Sequence, residues 1–359
     1  MKRVYAAAAL ILLLLFPVKV RADEDFGAEE VEKALPRAAA EILGDESRIG
    51  ATLDEGIERL AGYAREHIRS LLVESLRPAA GVLAVVALCT AADGLQGKKE
   101  GFDYVNFSAC VSIAALNIGD VNSLVCLGRE TMTELSDFSR VLLPALTSAA
   151  AAGGAVTSAP GKYAATMLFL DVLISAANAL VFPVICAYLA AVFADSAVGQ
   201  GRLTGAVKLL KWACRVTLTA LVTAFTLYLG VTGVVASAAD GLAAKAAKTA
   251  LSAALPVVGG IISDAAGSIV AGAGLIRSSI GLLGLLGVAA MCLIPFLRLG
   301  ARYVVFKAAA ALSSVLSGER LSRLIDGVGN ACGMVLSLVG VEVIFLYISV
   351  ISLIKAVGG

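Results

Sequence analysis

The sequence predicts an all-α fold: a polytopic membrane helical bundle with a tandem internal repeat, preceded by a signal peptide and a soluble N-terminal helical segment. Three observations predict it. Apolar residues make up 59% of the chain, charged residues only 16%, and the mean hydropathy is +0.88; that balance excludes an ordinary soluble domain. Six apolar stretches are long enough to cross a bilayer, which takes about 20 helical residues because every backbone N–H and C=O must be paired within the segment. Most of these stretches fall into two copies of one pattern. Leu143-Pro144 and Leu255-Pro256 each open a Gly/Ala/Ser-rich run, and Phe182-Pro183 and Ile294-Pro295 recur at the same offset of about 112 residues. Leu203 to Cys214 and Leu321 to Cys332 also match in spacing, each ending in Ala-Cys. Duplications of this kind build many pores and transporters.

The elements follow in order. Residues 1–22 read as a signal peptide: Lys2-Arg3, an apolar run from Val4 to Pro17, and Val20-Arg21-Ala22 before Asp23-Glu24-Asp25. Residues 23–77 form an acidic, extracytoplasmic helical segment holding half of all the Asp and Glu. Thr52-Leu53-Asp54-Glu55 is a capping box. Downstream of it, Leu53, Ile57, Leu60, Ala64, Ile68 and Leu71 recur at three- and four-residue steps, giving one apolar stripe on a helix that ends near Leu76. Its acidity argues against an anionic lipid surface, so the stripe is expected to pack on protein.

Residues 78–140 hold the first two transmembrane helices, Ala79 to Leu95 and Tyr104 to Leu127, followed by a polar stretch from Gly128 to Arg140. Membrane repeat 1 covers 141–240. It begins with the first small-residue run, Pro144 to Pro160, which suits a re-entrant hairpin or a closely packed helix. Two crossings follow, Tyr163 to Ala194 and Trp212 to Ala236. Membrane repeat 2, 241–359, has the same order: a small-residue run, Ile280 to Leu297, a polar stretch, and Val328 to Ile354. Counting the small-residue runs as spans would raise six crossings to eight.

Orientation follows from Lys and Arg. Lys98 and Lys99 lie in one loop, Arg202, Lys208, Lys211 and Arg215 in a second, and Arg298, Arg302, Lys307, Arg320 and Arg323 in a third. With residue 23 outside, six crossings place all three clusters in the cytoplasm.

Few residues carry chemistry. Asp171 and Asn178 lie two helical turns apart on one face, and Glu342 sits within the last span. Ionisable groups at membrane depth are costly and face a cavity or a paired partner, so these three are the candidate pore or coupling residues. Leu283 and Ala290, the repeat counterparts of Asp171 and Asn178, are apolar. Pro144, Pro183, Pro256 and Pro295 are candidate hinges or re-entrant turns, as each removes a backbone donor; Gly259-Gly260 is a candidate tight turn. No H-E-x-x-H is present and the single histidine, His67, precedes the first span. Seven cysteines lie scattered in apolar helices without C-x-x-C spacing. No catalytic residue, cofactor or metal site is expected. A net charge of +1 gives no case for nucleic-acid binding.

From Lys245-Ala246-Ala247-Lys248-Thr249-Ala250 through Leu255-Pro256-Val257-Val258-Gly259-Gly260-Ile261-Ile262-Ser263-Asp264-Ala265, and on to Gly281 and Ile294-Pro295, the chain resembles the stage III sporulation protein AE family. The signal peptide, acidic N-terminal segment and polytopic remainder are similar over nearly the whole length. The resemblance implies a role in endospore formation. Members are membrane components of a multi-protein complex made in the mother cell. It joins a forespore partner across the double membrane and is held to form a channel or secretion-like conduit. Other membrane subunits, ring-forming subunits and the lipid bilayer are the implied partners; self-association is left open. No catalytic residues come with the family. The alternatives are an ion-coupled secondary transporter or permease subunit using Asp171 or Glu342, and a scaffold that conducts nothing.

Overall fold

The computed structural model describes residues 28–44, 53–96, 104–152, 158–198, 201–231, 279–317 and 319–357. All elements among them are helical: α1 (Ala28–Lys33), α2 (Arg37–Leu43), α3 (Leu53–Gln96), α4 (Tyr104–Ala152), α5 (Ser158–Ala176), a π-helical turn (Ala177–Val181), α6 (Phe182–Val198), α7 (Thr204–Val231), α8 (Ser279–Ser317) and α9 (Glu319–Val357). Taking α5, the π turn and α6 as one rod, six helices among the described residues are long and apolar enough to cross a membrane. The chain is an all-α polytopic bundle. The expected signal peptide lies outside the described residues, as do Pro256, Gly259, Gly260 and the rest of the second small-residue run.

Contacts along the rods fix their directions. On α3, Gly56 meets Leu286, Ala64 and Leu71 cluster with Leu297, and Glu74 meets Arg302. Both numberings rise together, so α3 and α8 run parallel. On α4, Leu142 lies at Gly284, Phe138 at Gly287 and Asp120 at Arg302, so α4 is antiparallel to α8. Helix α9 folds back on α8: Tyr347 Oη donates to the Leu285 carbonyl and Lys307 pairs with Asp326. The α5–α6 rod opposes α9, with Thr166 at Ser349, Tyr188 at Asn330 and Arg320 at Ser196. A tight corner, with Gly201 at φ +65°, returns the chain into α7; there Asp195 accepts hydrogen bonds from the Leu203 N–H and the Thr204 hydroxyl at 2.8 and 3.0 Å. Successive rods therefore alternate in direction, as six crossings in series require. The α3–α4, α6–α7 and α8–α9 connections all lie at one end of the bundle. Lys208, Lys211 and Arg215 open α7 there and Arg320 and Arg323 open α9, while Arg298 and Arg302 lie nearer the middle of α8 and Lys98 and Lys99 lie outside the described residues.

Helix α9 is the central rod. Its most apolar window is 94% buried, against 28% for those of α3 and α4. Most of the α3 stripe packs on protein: Leu53, Leu60, Ala64 and Leu71 are buried and Ile57 half-buried, facing the apolar first half of α8, whereas Ile68 is 42% exposed. Close approach needs small residues on α8. A Cβ on Gly284 would sit 2.7 Å from Leu142, and one on Gly287 2.9 Å from Phe138, so glycine is what lets α4 lie against this surface.

Three local breaks expected from the sequence are absent. Helix α3 runs through Pro78. Helix α4 continues through the polar stretch Gly128–Arg140 and through Pro144, where the fully buried Leu143 and Leu146 hold the first small-residue run as helix to Ala152. Proline and polar residues weaken a helix locally, but packing along the rest of the rod overrides them.

The apolar halves are also staggered. The contacts of Arg302 with Glu74 and Asp120 set Ala79–Leu95 and Tyr104–Leu116 beside the last part of α8. The most apolar part of α8, Ile280–Leu297, lies instead beside the charged Leu53–Glu74 half of α3 and the Leu124–Arg140 half of α4.

Candidate functional site

Two polar clusters lock the bundle near the basic end, and both join residues far apart in sequence. In the first, α8 presents Arg302, just past its midpoint, with a side chain only 11% exposed. Its guanidinium lies 3.2 Å from the Asp120 carboxylate of α4 and 3.9 Å from the Glu74 carboxylate of α3. The pairing is ionic, as Nη1 makes no aligned hydrogen bond. A buried guanidinium is tolerated only beside a counter-charge, so this trio clamps three rods together. In the second, Lys307 Nζ donates to Asp326 at 2.6 Å and to Asn330 at 2.8 Å, both one helix away on α9. Asn330 in turn donates to Asp326 at 2.9 Å and to the Tyr188 hydroxyl of α6 at 3.3 Å. Arg320 finishes α6, donating to the Ser196 and Ala197 carbonyls at 2.6 Å each. These are groups a helix C-terminus leaves unpaired.

The residues singled out from sequence fall into different surroundings. Glu342 is fully buried in α9, and neither carboxyl oxygen has a hydrogen-bond partner. Asp171 is the opposite case: its side chain is 63% exposed and lies 3.8 Å from Arg140 of α4. Asn178 is exposed within the π turn. The structure therefore does not bring Asp171 and Asn178 together with Glu342.

The prolines differ too. Pro183 immediately follows the π turn, where the Phe182 N–H reaches back to the Ala177 carbonyl; the widened turn makes room for a ring that would otherwise strike the carbonyl of Ala179. Pro295, its counterpart in the repeat expected from the sequence, lies inside an uninterrupted α8, and Pro144 inside an uninterrupted α4. No group of three His, Cys, Asp or Glu that could hold a metal ion occurs among the described residues.

The Arg302 and Lys307 clusters were missed as sites in the sequence reading, where both residues served only to orient the chain. The signal available was their position inside helices rather than in loops. A charge that far into a rod needs a partner.

A family model, Stage III sporulation protein AE, matches residues 75–358. A curated relative, "Stage III sporulation protein AE" of Bacillus subtilis (strain 168), is 22% identical over 232 residues. That alignment covers 63% of this chain and 57% of the relative. No solved structure matches.

Proposed function

We propose, because the chain belongs to the stage III sporulation protein AE family, that it is a non-enzymatic integral subunit of a mother cell–forespore channel or secretion-like complex needed for endospore development. The observation that carries the reading is the family match across residues 75–358, which takes in most of the helical bundle. The chain is a sporulation-related membrane protein with six apolar rods of alternating direction. On this reading it lies in the mother-cell membrane around the forespore. The basic end of the bundle faces the mother-cell cytoplasm and the acidic N-terminal segment is extracytoplasmic. Other membrane subunits and ring-forming subunits are its partners.

Its polar residues support a structural task. Arg302, Lys307 and Arg320 hold rods to one another, and each is spent on a partner within the chain. One observation favours a second reading, an ion-coupled transporter or permease subunit: the unpaired, buried Glu342. A transporter also needs a route for its ion, and Asp171 lies on the outside of the bundle, away from that carboxyl.

The test is deletion of the gene in its host, followed by timed fluorescence from a late forespore-specific promoter. The channel-complex reading expects engulfment to finish, late forespore expression to fail, and the whole chain supplied in the mother cell to restore it. Normal spores from the deletion strain would remove the reading.

A further inference from the structure

One face of α4, beside the charged Leu53–Glu74 half of α3, is hydrophilic at a depth where the adjoining α5–α6 rod is apolar. From Asn122 to Arg140 the exposed residues are Asn122, Ser123, Cys126, Arg129, Glu130, Thr133, Glu134, Asp137 and Arg140, with no exposed aliphatic or aromatic side chain among them. The stripe is about 27 Å long at 1.5 Å per residue, close to the roughly 30 Å of a hydrocarbon core. It extends sideways onto α5, where Asp171 pairs with Arg140 at 3.8 Å. The α5–α6 rod at the same depth is different. Between Asp171 and Asp195 it has no charged residue; Leu180, Pro183, Cys186, Ala187 and Ala190 are exposed, and Ser175 and Asn178 are the polar residues exposed with them. Leu168 and Val172 precede them, 61% and 45% exposed.

The two faces share a depth because their rods touch. The Arg129 guanidinium lies over the Phe182 ring, 4.9 Å from its centroid, and a Cβ on Gly128 would stand 3.5 Å from that ring. Inside, at this level, run the wholly unexposed apolar halves of α8 and α9. A stripe with five charged residues of both signs cannot face hydrocarbon, since exposed charges at membrane depth are costly even on the mildest scale. The α5–α6 face has no such bar and presents what lipid accepts.

We infer that the α4 stripe, with Asp171 at its edge and the charged Leu53–Glu74 half of α3 beside it, faces water inside the membrane layer, as one wall of an aqueous space open to the extracytoplasmic side and closed off from lipid by other subunits, while the α5–α6 face meets lipid. This rests on the membrane-subunit reading and adds to it the surface that lines the conduit. Asp171 becomes a lining residue through its partnership with Arg140; Glu342, sealed inside α9, does not.

Two native cysteines are placed to test it. Cys126 lies on the stripe and Cys186 on the apolar face, both exposed. They stand two residues before Gly128 and four after Phe182, within about two helical turns of the same depth. A thiol reacts as its thiolate, which requires water. Membranes from the sporulating host, holding the unmodified chain, would be treated with a sulfonate-bearing maleimide admitted to both sides by freeze–thaw. Peptide mass spectrometry then reads each cysteine. The inference expects Cys126 to be labelled at least ten times faster than Cys186, with Cys186 recovering reactivity once the membrane is dissolved in detergent. Equal, rapid labelling of both would overturn it by placing this depth outside the bilayer, and the membrane placement of this half would fall with it. Labelling of neither would overturn the water-filled space alone, showing the stripe packed against protein, with the membrane-subunit reading intact. Cys186 reacting in preference to Cys126 would invert the two faces and also overturn it.

Discussion

Removing Asp120 probes the clamp at Arg302 directly. The guanidinium is 11% exposed and its nearest counter-charge is Asp120 at 3.2 Å; Glu74 is farther, at 3.9 Å, and half exposed. Breaking a buried pair by deleting one partner costs about 3–5 kcal/mol, because the remaining charge stays buried. Glu74 retains part of the compensation and Asp120 is itself 27% exposed, so Asp120→Ala is expected at the low end, about 3 kcal/mol. At roughly 2 °C per kcal/mol for a chain of this size, Tm falls by about 6 °C. Detergent-solubilised protein and a fluorogenic thiol dye give the assay, since Cys110, Cys214, Cys292 and Cys332 are buried and react only as the bundle opens. The double variant Asp120→Ala/Arg302→Met leaves no buried charge and should regain most of the loss, as apolar replacement of a buried ion pair is commonly neutral or stabilising. An Asp120→Ala protein melting within about 1 °C of the parent would refute the clamp. So would a double variant no more stable than the single.

Gly284→Leu should force α4 away from α8, costing about 1–3 kcal/mol as overpacking against Leu142, read as a lower Tm in the same assay. Arg320→Ala leaves two carbonyls at the end of α6 without their donors and should cost about 1.5–3 kcal/mol, whereas Arg323→Ala, an exposed control, should change Tm little. Glu342→Met fills the same space without an unpaired carboxyl; it is expected to raise Tm and to leave sporulation intact, whereas a coupled transporter would lose function while still folding. Asp171→Asn removes an exposed ion pair at 3.8 Å, worth about 0–1 kcal/mol, so Tm should hold within a degree or two.

Much of this architecture was legible in the chain itself. Helix count, the start of α3 at Leu53, and the buried positions Leu53, Leu60, Ala64 and Leu71 follow from periodicity and hydropathy, which are local. What could not be read is pairing across distance. Arg302 and Asp120 are 182 positions apart in the sequence, and no periodicity says which acid a given arginine meets. The stagger of apolar halves is of the same kind: it depends on which part of α8 lies beside α3, and a hydropathy profile treats each span separately. The prolines show the limit most clearly. Pro183 and Pro295 follow matching Phe-Pro and Ile-Pro patterns about 112 residues apart, yet one follows a π turn and the other lies in unbroken helix. The difference comes from what neighbouring rods impose on each.

The alternating six-rod bundle is the central claim, and loop sidedness tests it most directly. Short epitope tags would be inserted, one per full-length chain, at 97–103, 153–157 and 199–200, and beside residue 318, keeping only insertions that still support sporulation. Each retained chain is then produced in vegetative cells, where the outer face of the membrane is open to the medium, and antibody access in their intact and permeabilised protoplasts gives the side of each insertion. The account predicts that 97–103, 199–200 and 318 are protected until permeabilisation and that 153–157 is open in intact protoplasts. Finding any of the first three on the side of 153–157 would contradict it.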